Sequence, residues 1–263
     1  NLIDKGCHGV VFFGSTGQSQ LISLSEKIQL INLLPKSNYR DKFIIGTGLN
    51  SLVDNINLIK IAKSNGFNKF LIMPPAYYKY SDYDVINFYS RIIDEINECK
   101  IILYNFEKLS GYKFSIDCVN ELISKFPNQI IGVKDSTYNL YEHLNKNNFS
   151  VMPGSESKLL KGLELGCTGI ITATTNVTAA LARNVYDNYF DGKDQSLNKK
   201  LCDVRSAFEK FNLISSLHTF LSEKNLIFKN LIPPLRLLST EDKTILLNQL
   251  SNLNFEIDKL KAA

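Results

Sequence analysis

The sequence predicts an α/β fold in which strands and helices alternate and the strands pair in parallel. Short apolar runs that end in Gly, Pro, Ser, Thr or Asn recur along the chain, and a segment with helical spacing of its apolar residues follows each run. Strands that alternate with helices are joined by right-handed crossovers. Because the runs are apolar almost throughout, we expect the sheet to be covered on both faces.

Seven strands are predicted from these runs, each closing in turn-forming residues. They cover residues 10–13, 43–45, 70–73, 101–104, 129–134, 149–152 and 169–173. Two of the connecting segments show the helical spacing most clearly. Their apolar residues are Val85, Phe88, Tyr89, Ile92 and Ile93 in the first segment, and Val119, Leu122, Ile123 and Phe126 in the second.

The number of strands favours a barrel that continues ahead of the first residue. Seven units could form an open sheet, whereas a closed barrel of this kind needs eight strands and roughly 30 residues for each unit. Residues 1–6 resemble the tail of a helix. We therefore expect a (β/α)8 TIM barrel over residues 1–193, with its first strand missing, and a C-terminal helical extension over residues 194–263 that Pro233-Pro234 interrupts.

The composition argues against several classes of function. Of the 263 residues, 44% are hydrophobic and 21% are charged, and no apolar run is long enough to span a bilayer. The net charge of +4 is small and has no basic cluster with interleaved aromatic residues, so we expect no binding to nucleic acid. Five widely spaced cysteines and three scattered histidines indicate reduced thiols in the cytoplasm and no bound metal.

Lys134 is the leading candidate for a catalytic nucleophile. It ends a short β-branched apolar run, and two small polar residues, Asp135 and Ser136, follow it. A lysine amine at the mouth of an apolar pocket can attack a ketone and form a Schiff base. A solvated lysine at a strand end is the alternative interpretation, and the residues that end the other strands decide between the two.

Those residues form a coherent chemical set, because barrel enzymes carry their active sites at the C-terminal ends of the strands. Ser15, Thr16 and Gly17 offer two hydroxyls and backbone N–H groups that can converge on a carboxylate. Tyr104 ends the strand before Lys134, and its phenol can transfer a proton to and from a carbinolamine. An ordinary turn and a structural tyrosine are the alternatives at these two places.

Four motifs, in this order and spacing, resemble those of the dihydrodipicolinate synthase and N-acetylneuraminate lyase family. They are Gly14-Ser15-Thr16-Gly17, Tyr104-Asn105, Gly132-Val133-Lys134-Asp135 and residues 169–176. Segments 74–78 and 233–235 are similar to the family as well, so that the resemblance covers essentially the whole chain. It implies a class I pyruvate aldolase or lyase on a (β/α)8 barrel, assembled as a homotetramer of tight dimers.

The resemblance implies that Lys134 forms an imine with pyruvate or another 2-keto acid, so that no cofactor is needed. The protonated imine is an electron sink, which allows a C–C bond to be made or broken. Tyr104 is then the acid/base. Ser15 and Thr16 hold the keto-acid carboxylate, together with the backbone at Gly17, and relay protons to Tyr104.

Two further positions follow from the same resemblance. The Ile171 carbonyl is expected to lie beside the imine. Tyr77 matches a tyrosine that one subunit lends to its neighbour's site across the dimer, and Tyr78 is the alternative for that role.

The chain departs from the pattern of dihydrodipicolinate synthases at Leu109. Those enzymes usually carry an arginine there, which holds the carboxylate of the semialdehyde. The stretch 109–111 is instead similar to the sialic acid lyases, and Gly154 and Glu156 could line a site for a polyhydroxy substrate as in those lyases. The match to the lyases is incomplete at Glu107, Asp135-Ser136 and Ala173, and Gln18 replaces a glutamate that generally closes the first motif.

Our leading hypothesis from the sequence is a Schiff-base aldolase that joins pyruvate to, or releases it from, an aldehyde such as a sugar acid or a sialic-acid-like compound. The alternative is dihydrodipicolinate synthase itself, with another group such as Lys108 on the semialdehyde carboxylate. A non-catalytic barrel that binds keto acids is the alternative from a different class. A phosphate-binding isomerase barrel is the most remote option, because no glycine-rich phosphate loop follows the last two strands.

Overall fold

The computed structural model describes residues 1–96 and 98–256, and the chain divides into two compact units. The strand unit comprises residues 9–154 and 164–171. The helical unit comprises residues 1–8, residues 155–163 and the chain from residue 172 onward. Residues 257–263 of the predicted C-terminal extension lie outside the described residues.

Six parallel strands form the sheet of the strand unit, and they lie side by side in the order of the sequence. The sheet is curled into a half-barrel, as expected for strands joined by right-handed crossovers. Six of the seven predicted strands are therefore confirmed. They are β1 (Val10–Phe12), β2 (Phe43–Gly46), β3 (Lys69–Ile72), β4 (Lys100–Asn105), β5 (Ile130–Asp135) and β6 (Ser150–Pro153).

The predicted seventh strand, over residues 169–173, is wrong as a strand assignment. The segment runs beside β6, where Thr168 N donates to Val151 O at 3.1 Å and Ile171 N donates to Pro153 O at 3.1 Å. From the first bond to the second, the segment advances by three residues while β6 advances by two. The regular ladder of a parallel sheet is therefore broken. Gly169, with φ of 149°, lies between them in a conformation that other residues rarely adopt.

Helices follow the strands, and serine side chains cap several of them. Ser23 and Ser81 each form a capping box. The serine hydroxyl accepts a hydrogen bond from the backbone N–H three residues later, and the acidic side chain of that later residue accepts one from the serine backbone N–H. The helices of the strand unit are α1 (Leu24–Leu33), α2 (Leu52–Ser64), α3 (Asp82–Glu95), α4 (Glu107–Ser110) and α5 (Ile116–Lys125).

The sheet has an apolar cluster on each face, as its nearly continuous apolar strands predict. On the outer face, the helices bury the residues predicted from their spacing, among them Tyr89 and Ile92 of α3 and Leu122 of α5. On the inner face, Leu71, Ile102 and Tyr104 form a separate buried cluster. Side chains alternate between the two faces along each strand, so residues adjacent in sequence pack into different clusters.

The helical unit has its own core. It contains α6 (Leu159–Glu164) up to Leu163, followed by α7 (Thr175–Phe190), α8 (Ser196–Glu209), α9 (Leu213–Ser222) and α10 (Thr240–Asn252). After residue 194 the described chain forms helices and no strands as far as residue 252. Helices α8, α9 and α10 pack together in one buried cluster, to which they contribute Phe208, Phe220 and Leu250 respectively. None of the helices in the described part of the chain is long and apolar enough to cross a membrane.

Candidate active site

A β-bulge in β5 directs Lys134 to the inner face of the sheet. Ile101 pairs with Ile130, but the next residue of β4, Ile102, pairs with Gly132, so that Ile131 is an extra residue. An extra residue reverses the alternation beyond it, and bulges near active sites can redirect a side chain in this way. Ile131 therefore packs with the inner apolar cluster, and Lys134 follows on the same face.

Lys134 and Tyr104 face each other across two paired strands. Their Cα atoms are partners in the register of β4 and β5. The Lys134 Nζ atom lies 4.0 Å from the centroid of the Tyr104 ring. Only 8% of Lys134 and 5% of Tyr104 is exposed, so the amine approaches the phenol in a site from which most water is excluded.

The turn after β1 brings Ser15 to Tyr104. Residues Ser15–Gly17 form one turn of 3-10 helix, and the Ser15 Oγ atom lies 3.0 Å from the Tyr104 hydroxyl. Positive φ angles on both sides, 55° at Phe13 and 57° at Gln18, bend the backbone sharply at the ends of this turn. The structure thus aligns Ser15, Tyr104 and Lys134, an arrangement in which hydroxyls can carry a proton to and from an amine.

The other residues predicted to bind the substrate, Thr16, Gly17 and Ile171, are half-buried or exposed. Thr16 is half-buried and Gly17 is exposed, on the same turn as Ser15. Ile171 is half-buried and packs against the inner cluster that contains Tyr104. That cluster also includes Met73 and Met152, and its apolar surface strengthens electrostatic interactions within the site.

Gly154 lies directly after β6, and no other residue would fit there. A Cβ atom at this position would come within 2.9 Å of Ser136 Cβ and 3.1 Å of Ser136 Cα. The Gly154 N–H donates to the Asp135 carbonyl at 2.8 Å. Gly154 therefore lets the chain pass close to the end of the strand that carries Lys134.

Glu156 is placed in the helical unit, in a buried network with Arg205. Arg205 Nη1 lies 3.1 Å from Glu156 Oε2, and both side chains are almost fully buried. Thr172 donates to Oε2 at 2.7 Å, and Thr175 and Thr178 each donate to Oε1 at 3.2 Å. Both carboxylate oxygens are thus occupied within the protein, which disfavours the predicted contact between Glu156 and a substrate.

Tyr77 lies away from this group and exposes 90% of its surface. Its φ of 89° is a strained value for a residue with a side chain. Its ring packs edge-on against Tyr78, with the ring centroids 5.1 Å apart. An exposed aromatic residue on a strained backbone is typical of a residue held for a function rather than for the core.

Leu109 has no charge to offer a second carboxylate. It belongs to the short helix α4 and exposes 45% of its surface. Lys108, its neighbour, is also exposed, and Gly111 ends the helix with a φ of 75°. Lys108 is therefore the cation nearest in sequence to Leu109, the position at which the resemblance implies an arginine.

The structure also shows buried polar residues for which the sequence predicted no role. Asn105 and Asp135 directly follow Tyr104 and Lys134 and are fully buried. Two polar residues at the ends of adjacent apolar strands could have indicated a hydrogen bond between them, because buried polar groups require partners. The burial of Lys27 could not be predicted, because a lysine in the first turns of an amphipathic helix is usually solvated.

Lys27 of α1 is fully buried against the backbone carbonyls that follow β2. Its Nζ atom donates to Thr47 O at 2.8 Å and to Gly48 O at 3.2 Å, and it lies 5.9 Å from the centre of the Phe13 ring. None of the ion pairs formed by residues 1–96 and 98–256 includes it. Burial without a carboxylate lowers the pKa of Lys27 from 10.5 to about 8.

The lowered pKa of Lys27 predicts that stability rises with pH in the alkaline range. Between pH 8 and 10.5 the unfolded chain binds more protons at this lysine than the folded chain, so raising the pH favours folding. The expected gain from Lys27 is about 2 kcal/mol between pH 7 and pH 9.5. Urea unfolding of the wild-type and Lys27→Met proteins across this pH range measures the gain. The difference between the two pH profiles isolates Lys27, since tyrosines and cysteines titrate in both proteins. Parallel pH profiles for the two proteins would contradict the prediction.

Comparison with known proteins identifies the relatives of this chain. Residues 1–253 match the dihydrodipicolinate synthetase family. The chain is 29% identical over 247 residues to a 4-hydroxy-tetrahydrodipicolinate synthase of Karelsulcia muelleri, which covers 89% of this chain and 82% of that protein. It is 28% identical over 219 residues to an uncharacterized DapA-like lyase of Chloroflexus aurantiacus, which covers 80% of this chain and 73% of that protein.

Solved structures show the same fold. The 4-hydroxy-tetrahydrodipicolinate synthase of Methylacidiphilum fumariolicum is 26% identical, with a TM-score of 0.87 over 96% of this chain and 87% of that one. YagE, an E. coli prophage protein of the dihydrodipicolinic acid synthase family solved in complex with pyruvate, is 23% identical, with a TM-score of 0.84 over 97% and 89%. The match to the family model extends over nearly the whole chain and agrees with the motifs around Lys134. The chain therefore belongs to the dihydrodipicolinate synthetase family and is a lyase of that family.

Proposed function

We propose that the protein is a Schiff-base aldolase that makes or breaks a C–C bond between pyruvate, or a related 2-keto acid, and an aldehyde. The observation that carries the proposal is the alignment of a buried amine with two hydroxyls. Lys134 Nζ stands 4.0 Å from the centre of the Tyr104 ring, and the Tyr104 hydroxyl lies 3.0 Å from Ser15 Oγ. In YagE, a relative by fold, the bound molecule is pyruvate.

The proposed first step joins the Lys134 amine to the keto carbon. The amine adds to the C=O group to form a carbinolamine, and loss of one water molecule leaves the imine. Tyr104 transfers the protons in both directions, with Ser15 as its hydrogen-bonded partner. We assign the carboxylate to the hydroxyls of Ser15 and Thr16 and to the backbone of the turn at Gly17.

The imine then serves as an electron sink for the second substrate. Loss of a proton from the methyl carbon gives an enamine, which adds to the aldehyde carbon, and the reverse sequence cleaves the bond. We place the Ile171 carbonyl beside the imine nitrogen, since Ile171 packs against the cluster that contains Tyr104.

We propose a hydroxylated aldehyde, of the kind that forms sugar acids or sialic acids, as the second substrate. The support is the apolar residue Leu109 at the position where the resemblance implies an arginine for the semialdehyde carboxylate. Gly154 remains a proposed lining residue. We leave Glu156 out of the substrate contacts because Arg205 and three threonines already occupy its oxygens.

The second candidate is 4-hydroxy-tetrahydrodipicolinate synthase, which would condense pyruvate with aspartate semialdehyde. The relatives favour it, since the proteins from Karelsulcia muelleri and Methylacidiphilum fumariolicum both carry that name. In this version the exposed Lys108 takes the place of the missing arginine.

We infer that the half-barrel is part of a (β/α)8 barrel to which residues 1–193 contribute, with a helical extension from residue 194 onward. We also infer a cytoplasmic homo-oligomer, a dimer of dimers, in which Tyr77 reaches the active site of a neighbouring subunit. The support for the assembly is the 90% exposure of Tyr77 on a strained backbone.

Reduction of the enzyme with borohydride in the presence of pyruvate tests the imine directly. Hydride converts the C=N bond to a stable secondary amine, and peptide mass spectrometry is expected to find the adduct on Lys134. A folded protein that gives no adduct would refute the keto-acid imine.

Turnover with two aldehydes, measured without borohydride, separates the two candidates. We expect a C–C product from pyruvate with an N-acylated amino sugar and little from aspartate semialdehyde. Efficient use of aspartate semialdehyde, lost in Lys108→Met, would instead establish the second candidate.

A further inference from the structure

A buried polar network lies directly behind the two residues of the proposed chemistry. Asn105 follows Tyr104 on β4, and Asp135 follows Lys134 on β5. Both side chains are fully buried, and Asn105 Nδ2 donates to Asp135 Oδ1 at 2.8 Å. Because side chains alternate along a strand, this bond joins the two strands on the face opposite to the amine and the phenol.

The Asp135 carboxylate is held by backbone groups. Tyr138 N donates to Oδ1 at 2.8 Å, and Leu140 N and Tyr141 N donate to Oδ2 at 2.9 and 3.0 Å. None of the ion pairs found in the described part of the chain includes Asp135. A buried carboxylate without a cation is costly unless its oxygens are hydrogen-bonded, so these bonds fix the end of β5 firmly.

Asn105 is fixed just as completely. Its Oδ1 atom accepts from Phe114 N at 3.2 Å, and its second amide hydrogen goes to Asn139 Oδ1 at 2.8 Å. Asn139 in turn donates to the Phe114 carbonyl at 2.9 Å. With every polar atom of its amide engaged, Asn105 has one orientation, and that orientation points a donor at Asp135.

We propose that Asn105 and Asp135 are positioning residues, whose bond sets the register in which the Lys134 amine stands over the Tyr104 ring. The Cα pairing of Asn105 with Asp135 continues directly from that of Tyr104 with Lys134. A slip of β4 along β5 would therefore displace the amine from the phenol. The proposal rests on the proposed imine chemistry, since it concerns how fast that imine forms.

Asn105→Ala and Asn139→Ala form a matched pair of variants for the test. Both variants remove the hydrogen bond between Asn105 and Asn139, but only Asn105→Ala also removes the link between β4 and β5. The rate of borohydride-trapped adduct formation is measured against pyruvate concentration, which yields a limiting rate and a half-saturating concentration. The urea midpoint of each variant reports its stability.

We expect Asn105→Ala to lower the limiting rate about 10- to 100-fold, because small displacements of catalytic groups have effects of this size. The half-saturating concentration is expected to change less than about threefold, since the carboxylate contacts lie on another strand end. Asn139→Ala is expected to lose a similar amount of stability and to keep a limiting rate near that of the wild-type protein.

Equal limiting rates for the two folded variants would overturn the positioning role, whatever their stabilities. If Asn105→Ala does not fold, Asn105→Ser takes its place, since a serine leaves a small polar group at the buried position but is too short to reach Asp135. Adduct on the wild-type and Asn139→Ala proteins upholds the imine chemistry independently of this result. Absence of adduct on the wild-type protein would overturn both proposals.

Discussion

Replacing Lys134 with alanine is expected to abolish adduct formation and to lower kcat by at least about 10³-fold. The amine is the proposed nucleophile, and loss of a covalent nucleophile removes the reaction path rather than weakening one contact. The Tyr104–Ser15 pair remains in Lys134→Ala, so the residual rate reports what binding and the hydroxyls achieve alone. Adduct yield by mass spectrometry and steady-state turnover measure the two effects.

Lys100→Ala is the control for this experiment. Lys100 begins β4, at the opposite end of the strand from Tyr104, and has no part in the proposed chemistry. It is expected to keep wild-type turnover and the adduct on Lys134. A Lys134→Ala protein that still catalyses C–C bond formation within tenfold of the wild-type rate would refute the imine mechanism.

Arg205→Met is expected to destabilise the protein by about 3 kcal/mol. The substitution leaves the fully buried Glu156 carboxylate without its cation, and breaking a buried ion pair from one side typically costs 3 to 5 kcal/mol. Three threonine hydroxyls still donate to Glu156, which places the expected loss at the lower end. The free energy of unfolding in urea measures the effect.

Two further variants test whether the loss of stability comes from the unpaired buried charge. Lys199→Met removes an exposed ion pair with Asp203 on the same helix, and it is expected to cost less than about 1 kcal/mol. The double variant Glu156→Gln with Arg205→Met removes the buried charge as well and is expected to recover part of the stability. Arg205→Met and Lys199→Met proteins of equal stability would contradict the argument.

Lys134, Tyr104 and Ser15 could be found from the sequence because each ends a recognisable apolar strand or its turn. In a parallel sheet such positions converge on one edge, so linear spacing is enough to predict that they meet. The structure brings these three together. Their roles in catalysis stay predictions until the adduct is located.

Glu156 and the segment 169–173 show where spacing is not enough. Glu156 follows a strand end, as a substrate ligand would, but Arg205 approaches it from a helix 49 positions later in the chain. The apolar run at 169–173 has the composition of a strand, yet the φ of 149° at Gly169 breaks its ladder. Both outcomes depend on contacts and dihedral angles that no local pattern contains.

The alternation of strands and helices and the chemical identity of the residues at the strand ends can be inferred from the amino-acid sequence alone. Those properties follow from the period of apolar residues and from turn chemistry, which act locally. The folded structure was needed to show that a bulge at Ile131 directs Lys134 inward, that Lys27 is buried and that Asn105 binds Asp135. Each of these depends on strand register and on burial by distant residues, and both arise only when the chain is packed.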